Sequence, residues 1–296
     1  MAEPFHGIYN IMATPFTPDG EIDEESLRNL VEFQIGHRVH GLAILGILGE
    51  VHRLSDAERQ RVTRVVIDQV KGRVPVVVGT GHSGTKVAVW LSQDAAAAGA
   101  AALLLPPPGY SKPTPDALFE YYRAVSEAVS IPVVVQDEPA TTGVTMPPDL
   151  FARLASNLAG CRYAKVEDPP TPSKITRIRA LTDRLGIFGG LGGAYLLEEL
   201  HRGAAGTMTG FAFPEILVEI YTRYAGGDVE GATELFFEYV PLIRYEAQIG
   251  IGLAIRKEVL RLRGAIRHNT VRAPAAGIDE TTRRELHALV ERYGLR

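Results

Sequence analysis

Cysteine occurs once in the 296 residues, at position 161. A single thiol makes no intrachain disulfide and no thiol-rich metal centre, and it suits a reducing cytoplasm. Long apolar runs are also missing: no stretch approaches the ~20 residues that a transmembrane helix needs. The start, Met1-Ala2-Glu3-Pro4-Phe5-His6, lacks the basic and apolar parts of a signal peptide. Positive charge is scarce, with 31 Lys and Arg against 35 Asp and Glu for a formal net charge of -4, and the arginines are scattered without aromatic interleaving. That removes the electrostatic case for nucleic acid or an anionic membrane as a partner. His52 and His82 are isolated and no His/Asp/Glu set has metal-ligand spacing, so neither a metal nor a large cofactor is expected. No Gly-x-Ser-x-Gly elbow or Cys–His pair marks a hydrolase.

What is present is an ordinary soluble composition, 46% hydrophobic and 22% charged, arranged as one repeated unit. Short apolar runs at 7–14, 41–45, 74–79, 101–105, 132–136, 162–166, 187–190 and 205–209 read as strands. Helical patterns separate them at about 24–35, 55–70, 85–98, 116–129, 148–156, 173–185 and 194–202. Two starts carry capping signatures, Asp23 with Ser26, and Ser55 with Glu58. Val/Leu runs without polar alternation mean strands covered on both faces, as in a parallel sheet. Eight strand–helix units close into a (β/α)8 TIM barrel at the usual ~250 residues. An open doubly wound sheet would carry a glycine-rich phosphate turn after its first strand, and Thr14-Pro15-Phe16-Thr17-Pro18 is no such turn. The division expected is a barrel over 1–225 and a C-terminal helical region over 226–296, with helices near 215–225, 229–247, 253–262 and 281–293.

Only six lysines occur, and Lys165 alone falls inside a strand pattern, between Ala164 and Val166. Burial disfavours an ammonium and lowers a lysine's pKa from ~10.4, which frees an amine to attack a carbonyl. The plainer reading is a strand-end lysine paired with Glu167 or Asp168. Position in the fold weighs against that reading, because strand six then delivers Lys165 to the C-terminal mouth of the barrel, where these folds hold their active sites. The same mouth collects Gly46 to Glu50, Gly79 to Gly81, Pro106 to Tyr110, Gln136 to Glu138, Gly189 to Gly193 and Thr207 to Gly210. A lone amine beside glycine-rich turns that donate N–H groups points to Schiff-base chemistry on a 2-oxo acid, whose carboxylate the Gly46–Gly49 turn would hold.

With Ala13-Thr14-Pro15-Phe16, the Gly-x-x-Gly-Glu turn at 46–50, Gly79-Thr80-Gly81, Pro106 to Pro113 with Tyr110, Ile131-Pro132 leading to Pro139 and Gly143, and Lys165-Val166-Glu167, nearly the whole chain resembles one family. It is the dihydrodipicolinate synthase/N-acetylneuraminate lyase group of class I aldolases and dehydratases. The resemblance implies that Lys165 forms the Schiff base with pyruvate or a related 2-oxo acid and that the backbone at Ile47 and Leu48 binds its carboxylate. It also implies a homotetramer built as a dimer of dimers, with Tyr110 near the dimer contact. The chain departs from the family at the proton relay. Gln136 replaces the usual tyrosine of Tyr-Asn-x-Pro, and Ile47 and Leu48 replace threonines. Thr141 stands where synthases carry an arginine for the second substrate's carboxylate. The candidate site is therefore Lys165, Gln136 and Tyr110 as catalytic residues, with Ile47, Leu48, Thr207, Thr141 and Gly190 as substrate contacts. Proton transfer falls to Tyr110, Asp137, Glu138 or Glu167, to water or to the substrate carboxylate. The expected activity is a lyase, aldolase or dehydratase, acting on a pyruvate-like or 2-keto-3-deoxy acid rather than dihydrodipicolinate synthesis. The alternative is a member that binds a 2-oxo acid without turning it over.

Overall fold

The computed structural model describes residues 4–109 and 112–295. Among the described residues, eight parallel strands close into a barrel in sequence order. They are β1 (Gly7–Ile11), β2 (Gly41–Ile44), β3 (Val76–Gly79), β4 (Ala102–Leu105), β5 (Val133–Asp137), β6 (Cys161–Val166), β7 (Gly186–Gly189) and β8 (Gly206–Thr209). Between and after them run α1 (Glu24–Gly36), α2 (Asp56–Val70), α3 (Thr85–Ala98), α4 (Pro115–Ala128), α5 (Pro139–Thr142), α6 (Pro148–Asn157), α7 (Thr171–Arg179), α8 (Leu196–His201) and α9 (Pro214–Ala225). The (β/α)8 expectation holds. Both capping signatures form: Asp23 accepts from the Ser26 N–H, and Ser55 and Glu58 make a full capping box.

Strand parity divides the core in two. Tyr9, Ile11, Ala43, Leu104, Phe188 and Met208 fill the barrel interior, while their strand neighbours Ile8, Ile44, Leu103, Val135 and Ile187 pack outward against the helices. Gly41 shows how tightly the interior is filled, since a Cβ there would lie 2.2 Å from the Tyr9 ring.

Helix α7 is shorter and earlier than the sequence pattern indicates. It starts at Thr171 because Pro172 occupies the first turn, where its missing N–H costs nothing, and it stops at Arg179. The residues to 185 are a return loop, tied down as Arg179 donates to the Leu185 and Gly203 carbonyls at 2.7 Å each.

The C-terminal region is α10 (Val229–Glu246), α11 (Gly252–Leu262) and α12 (Glu280–Arg292). Its buried residues Phe236, Ile243, Ile255, Val259 and Leu286 belong to the same continuous core as the barrel helices. One ion pair pins it to the barrel mouth. Lys257 on α11 is fully buried, with Nζ 2.5 Å from Glu50 Oε1, 2.7 Å from the Thr270 carbonyl and 4.4 Å from the Phe16 ring. Glu50 Oε2 in turn accepts from the Arg272 N–H and from Arg53, both at 2.9 Å. Burial pushes the Lys257 ammonium down to about 8. No helix among the described residues is long and apolar enough to cross a membrane.

Removing one partner of such a pair strands the other charge out of water. Lys257→Met is expected to cost about 3 kcal/mol, the lower end of the usual range because Arg53 and Arg272 still hold Glu50, and Glu50→Gln with Lys257→Met should recover part of it. Urea unfolding midpoints of the two variants and the parent measure both effects; a Lys257→Met midpoint equal to the parent's contradicts them.

Candidate active site

Strands β5 and β6 pair with Gln136 opposite Lys165 and Asp137 opposite Val166. Alternation then points Gln136 and Lys165 into the barrel, and Glu138 and Glu167, two residues further along each strand direction, face the same way. All four line one cavity of about 570 Å³ at the C-terminal mouth. Lys165 is 2% exposed, and its Nζ lies 2.9 Å from Glu167 Oε2. The same carboxylate oxygen accepts from Gln136 Nε2 at 2.9 Å. The plainer pairing of Lys165 with Glu167 is thus present, and it is present inside the cavity.

The carboxylate of Glu167 has room because residue 190 is glycine: a Cβ there would stand 2.5 Å from Glu167 Cγ and Oε1. Glu138 is mostly buried and accepts from the Thr141 N–H at 3.0 Å. Burial, and next the charge of Glu167, push the Glu138 carboxyl up.

Asp137 is corrected as a proton-transfer candidate. Parity turns it outward, where it lies 2.7 Å from Lys174 Nζ on α7, off the hydrogen-bonding angle. Burial pushes it up to about 6. Lys174 also meets Asp168 at 2.8 Å. Lys165 is therefore one of three buried lysines, with Lys174 and Lys257 the two that the sequence pattern hides.

The segment after β2 is two successive 3-10 turns, Ile47–Gly49 and Val51–Arg53, with Glu50 between them in the left-handed region at φ 59°. As the first residues of the first turn, Ile47 and Leu48 have no carbonyl within it for their N–H groups to bond, and both line the cavity. Thr141 is exposed on α5. Thr207 is fully buried, its hydroxyl without a hydrogen-bond partner, and neither residue lines the cavity. Thr209 does, one turn of the β8 pleat nearer the mouth. Tyr110 lies outside the described residues.

The remaining wall comes from residues that the sequence pattern did not single out. Tyr195 precedes α8, Gln248 and Ile249 come from the connection between α10 and α11, and Leu253 from the first turn of α11. Arg256 and Glu246 form a buried ion pair beside them, and Glu246 Oε2 also accepts from the Ala212 N–H at 3.0 Å. Their signal is tertiary: nothing local in sequence indicates that the tail folds back over the mouth. No group of three or more His, Cys, Asp or Glu among the described residues is placed to hold a metal ion.

Residues 4–293 match the model of the Dihydrodipicolinate synthetase family. The chain belongs to that family. It is 35% identical over 291 residues to an L-2-keto-3-deoxyarabonate dehydratase of Azospirillum brasilense, covering 97% of this chain and 94% of that protein. The crystal structure of a dihydrodipicolinate synthase from Rhodopseudomonas palustris superposes with a TM-score of 0.92 at 36% identity, over 97% of both chains. A prophage protein of the dihydrodipicolinic acid synthase family from E. coli K12, solved in complex with pyruvate, gives a TM-score of 0.91 at 28% identity over 99% of both chains. As a member of the Dihydrodipicolinate synthetase family, the chain is a Schiff-base lyase of the aldolase and dehydratase type.

Behind the mouth of this family member lies one further carboxyl. Glu199 on α8 is fully buried against Gly189, where a Cβ would overlap its Oε2, and its Oε1 is 2.6 Å from Thr171 Oγ1. Burial pushes it from 4.5 up to about 8, with the charges of Glu167 and Glu198 adding to the effect. A carboxyl raised on folding stabilises the fold fully below its unfolded pKa, and that contribution is lost as pH rises through the folded value. Glu199→Gln keeps the Thr171 contact without the titration. The stability of the parent should fall relative to Glu199→Gln from about pH 5 upward and differ most above pH 8. Unfolding midpoints of the two proteins across pH 5 to 9 measure this, and parallel profiles count against it.

Proposed function

We propose that the protein acts on a 2-keto-3-deoxy sugar acid through a Schiff base on Lys165, and that it is not a dihydrodipicolinate-forming synthase. The observation that carries this reading is the Glu167 carboxylate, 2.9 Å from Lys165 Nζ and held from its other side by Gln136 at 2.9 Å. Glutamine has no proton to exchange at neutral pH, so Gln136 cannot do the work of a tyrosine, but its amide can fix a carboxylate that does. The substrate carboxylate sits on the N–H groups of Ile47 and Leu48. Lys165 attacks C2, Glu167 takes the amine's surplus proton and passes it to the C2 oxygen, which leaves as water, and the freed carboxylate then takes a proton from C3. The protonated imine withdraws the electron pair left at C3, and an enamine forms.

One feature opposes the synthase reaction. The resemblance places an arginine where this chain has the exposed Thr141, so the second substrate's carboxylate has no cation there. The cavity of about 570 Å³ is far larger than a three-carbon acid fills, and Tyr195, Thr209 and Gln248 among its lining residues carry groups able to hydrogen-bond the hydroxyls of a longer sugar acid. The name of the Azospirillum brasilense relative agrees with that substrate class. The same family reading carries a homo-oligomer, a dimer of dimers, whose test is the mass in solution.

Incubation with pyruvate and borohydride, followed by peptide mapping, should place one reduced adduct on Lys165 and none in Lys165→Ala. Glu167→Gln should still trap pyruvate but exchange its methyl protons with D2O about 10²–10⁴-fold more slowly, the usual worth of a positioned base. No adduct with any short 2-oxo acid would sink the reading, and unchanged exchange in Glu167→Gln would remove Glu167 from it.

A further inference from the structure

Of the three carboxyls among the described residues that line the cavity, Glu167 serves the Schiff base and Glu246 is paired with Arg256, which leaves Glu138 without a task. Gln136 and Lys165 form one rung across β5 and β6. Glu138 and Glu167, each one residue past the end of its strand, stand above them toward the mouth as an upper rung of side chains, about 6.6 Å on by strand rise. Lys165 pairs with Glu167, whereas Glu138 is held by the Thr141 N–H. A substrate joined at C2 to Lys165 and rising toward the mouth brings C4, two bonds on, toward that upper rung.

We propose that Glu138 is the acid that passes a proton to the C4 hydroxyl of a 2-keto-3-deoxy acid as it departs, so that the site expels water instead of splitting the C3–C4 bond. This rests on the Schiff base at Lys165 argued above. Once Glu167 has removed a C3 proton, the C3–H electron pair lies in the C2–C3 double bond of the enamine. The nitrogen pair then re-forms C2=N, the C2–C3 pair moves to C3–C4, and the C4–O bond breaks. The oxygen takes the Glu138 proton and leaves as water. Hydrolysis of the imine frees Lys165 and a 2-oxo-3-enoic acid. Solvent returns to Glu138 the proton that Glu167 gives up, so the sequence needs neither oxidant nor reductant.

Cleavage of the same substrate makes the opposite demand at C4, a base that removes the hydroxyl proton. A carboxyl that keeps its proton serves elimination; an ionised one serves cleavage. Burial and the Glu167 charge both favour the proton-bearing form of Glu138. Its other evident role is to cap α5 through Thr141, and Glu138→Gln preserves that role, because an amide oxygen still accepts from the N–H.

The test compares the intact protein with Glu138→Gln on three probes: a five-carbon 2-keto-3-deoxy acid, its analogue with fluorine at C4, and pyruvate in D2O with a borohydride arm. Fluoride departs without needing an acid. The parent should yield a dehydrated 2-oxo acid and no pyruvate. Glu138→Gln should lose water elimination about 10²–10³-fold, yet release fluoride within about tenfold of the parent and keep methyl-proton exchange within about threefold. Three results overturn the proposal: the parent producing pyruvate and a two-carbon aldehyde, Glu138→Gln dehydrating at the parent's rate, or Glu138→Gln slowing fluoride and water loss alike. A parent that gives no borohydride adduct removes the Schiff-base reading itself, and this step with it. An adduct with any of the three contrary results leaves that reading standing and removes Glu138 alone.

Discussion

Side chains two residues apart on a strand share a face, and at the ends of β5 and β6 that parity decides which groups meet. Gln136, Glu138, Lys165 and Glu167 turn into the cavity, and Asp137 and Val166 turn out toward the helices. A slip of one residue in both strands would exchange these sets. The cavity would then hold an aspartate and a valine, and the lysine would lie among helix side chains. The register is held by the outward apolar residues Val133, Val135, Ala164 and Val166, all buried in the outer core. The packing that stabilises the barrel is therefore the same packing that aims the Lys165 amine into the cavity.

Three buried lysines make the point that a lysine–carboxylate pair does not by itself define chemistry. Lys257 and Glu50 are enclosed on all sides and fasten α11 to the turn whose N–H groups face the cavity. Lys174 joins Asp137 and Asp168 on the outer face of the barrel. Lys165 and Glu167 alone of the three open onto a cavity that can admit a ligand. Desolvation is expensive in every case and is offset by a partner in every case. What differs is access, and access is set by the barrel's layout rather than by the pair.

The fold was legible because its signals are local. Val/Leu runs, two capping pairs and the spacing of breakers place seven of the eight strands within one or two residues of where they stand, and the first, read as running to 14, ends at Ile11. Lys165 was legible because a lysine inside an apolar strand conflicts with its surroundings. Lys257 was not, because Arg256-Lys257-Glu258 reads as a polar helical stretch although all three side chains are buried. Nor was the choice between Asp137 and Glu138, since adjacent acidic residues at a strand end differ only in parity, which the sequence leaves open by one position. The tail's share of the cavity wall, Gln248 and Ile249 among others, depends on where α10 and α11 pack, and no short-range pattern encodes that.

The family resemblance gives Gln136, Ile47 and Leu48 as losses: a phenol and two hydroxyls gone from a proton relay. The geometry gives three dependent gains in the same space. Glu167 brings a carboxylate to the amine, Gly190 leaves the volume that carboxylate occupies, and Gln136 supplies the amide proton that holds it. Each choice is unfavourable alone. A side chain at 190 would displace Glu167, a tyrosine at 136 would offer no amide to it, and a glutamate at 167 without either neighbour would be a buried charge with one partner fewer. A site decaying toward simple binding has no need to bury an additional carboxylate beside its lysine or to arrange two other residues around it. On the proposed reading, the set is one proton-transfer device exchanged for another, hydroxyl relay for carboxylate, with the amine kept in place.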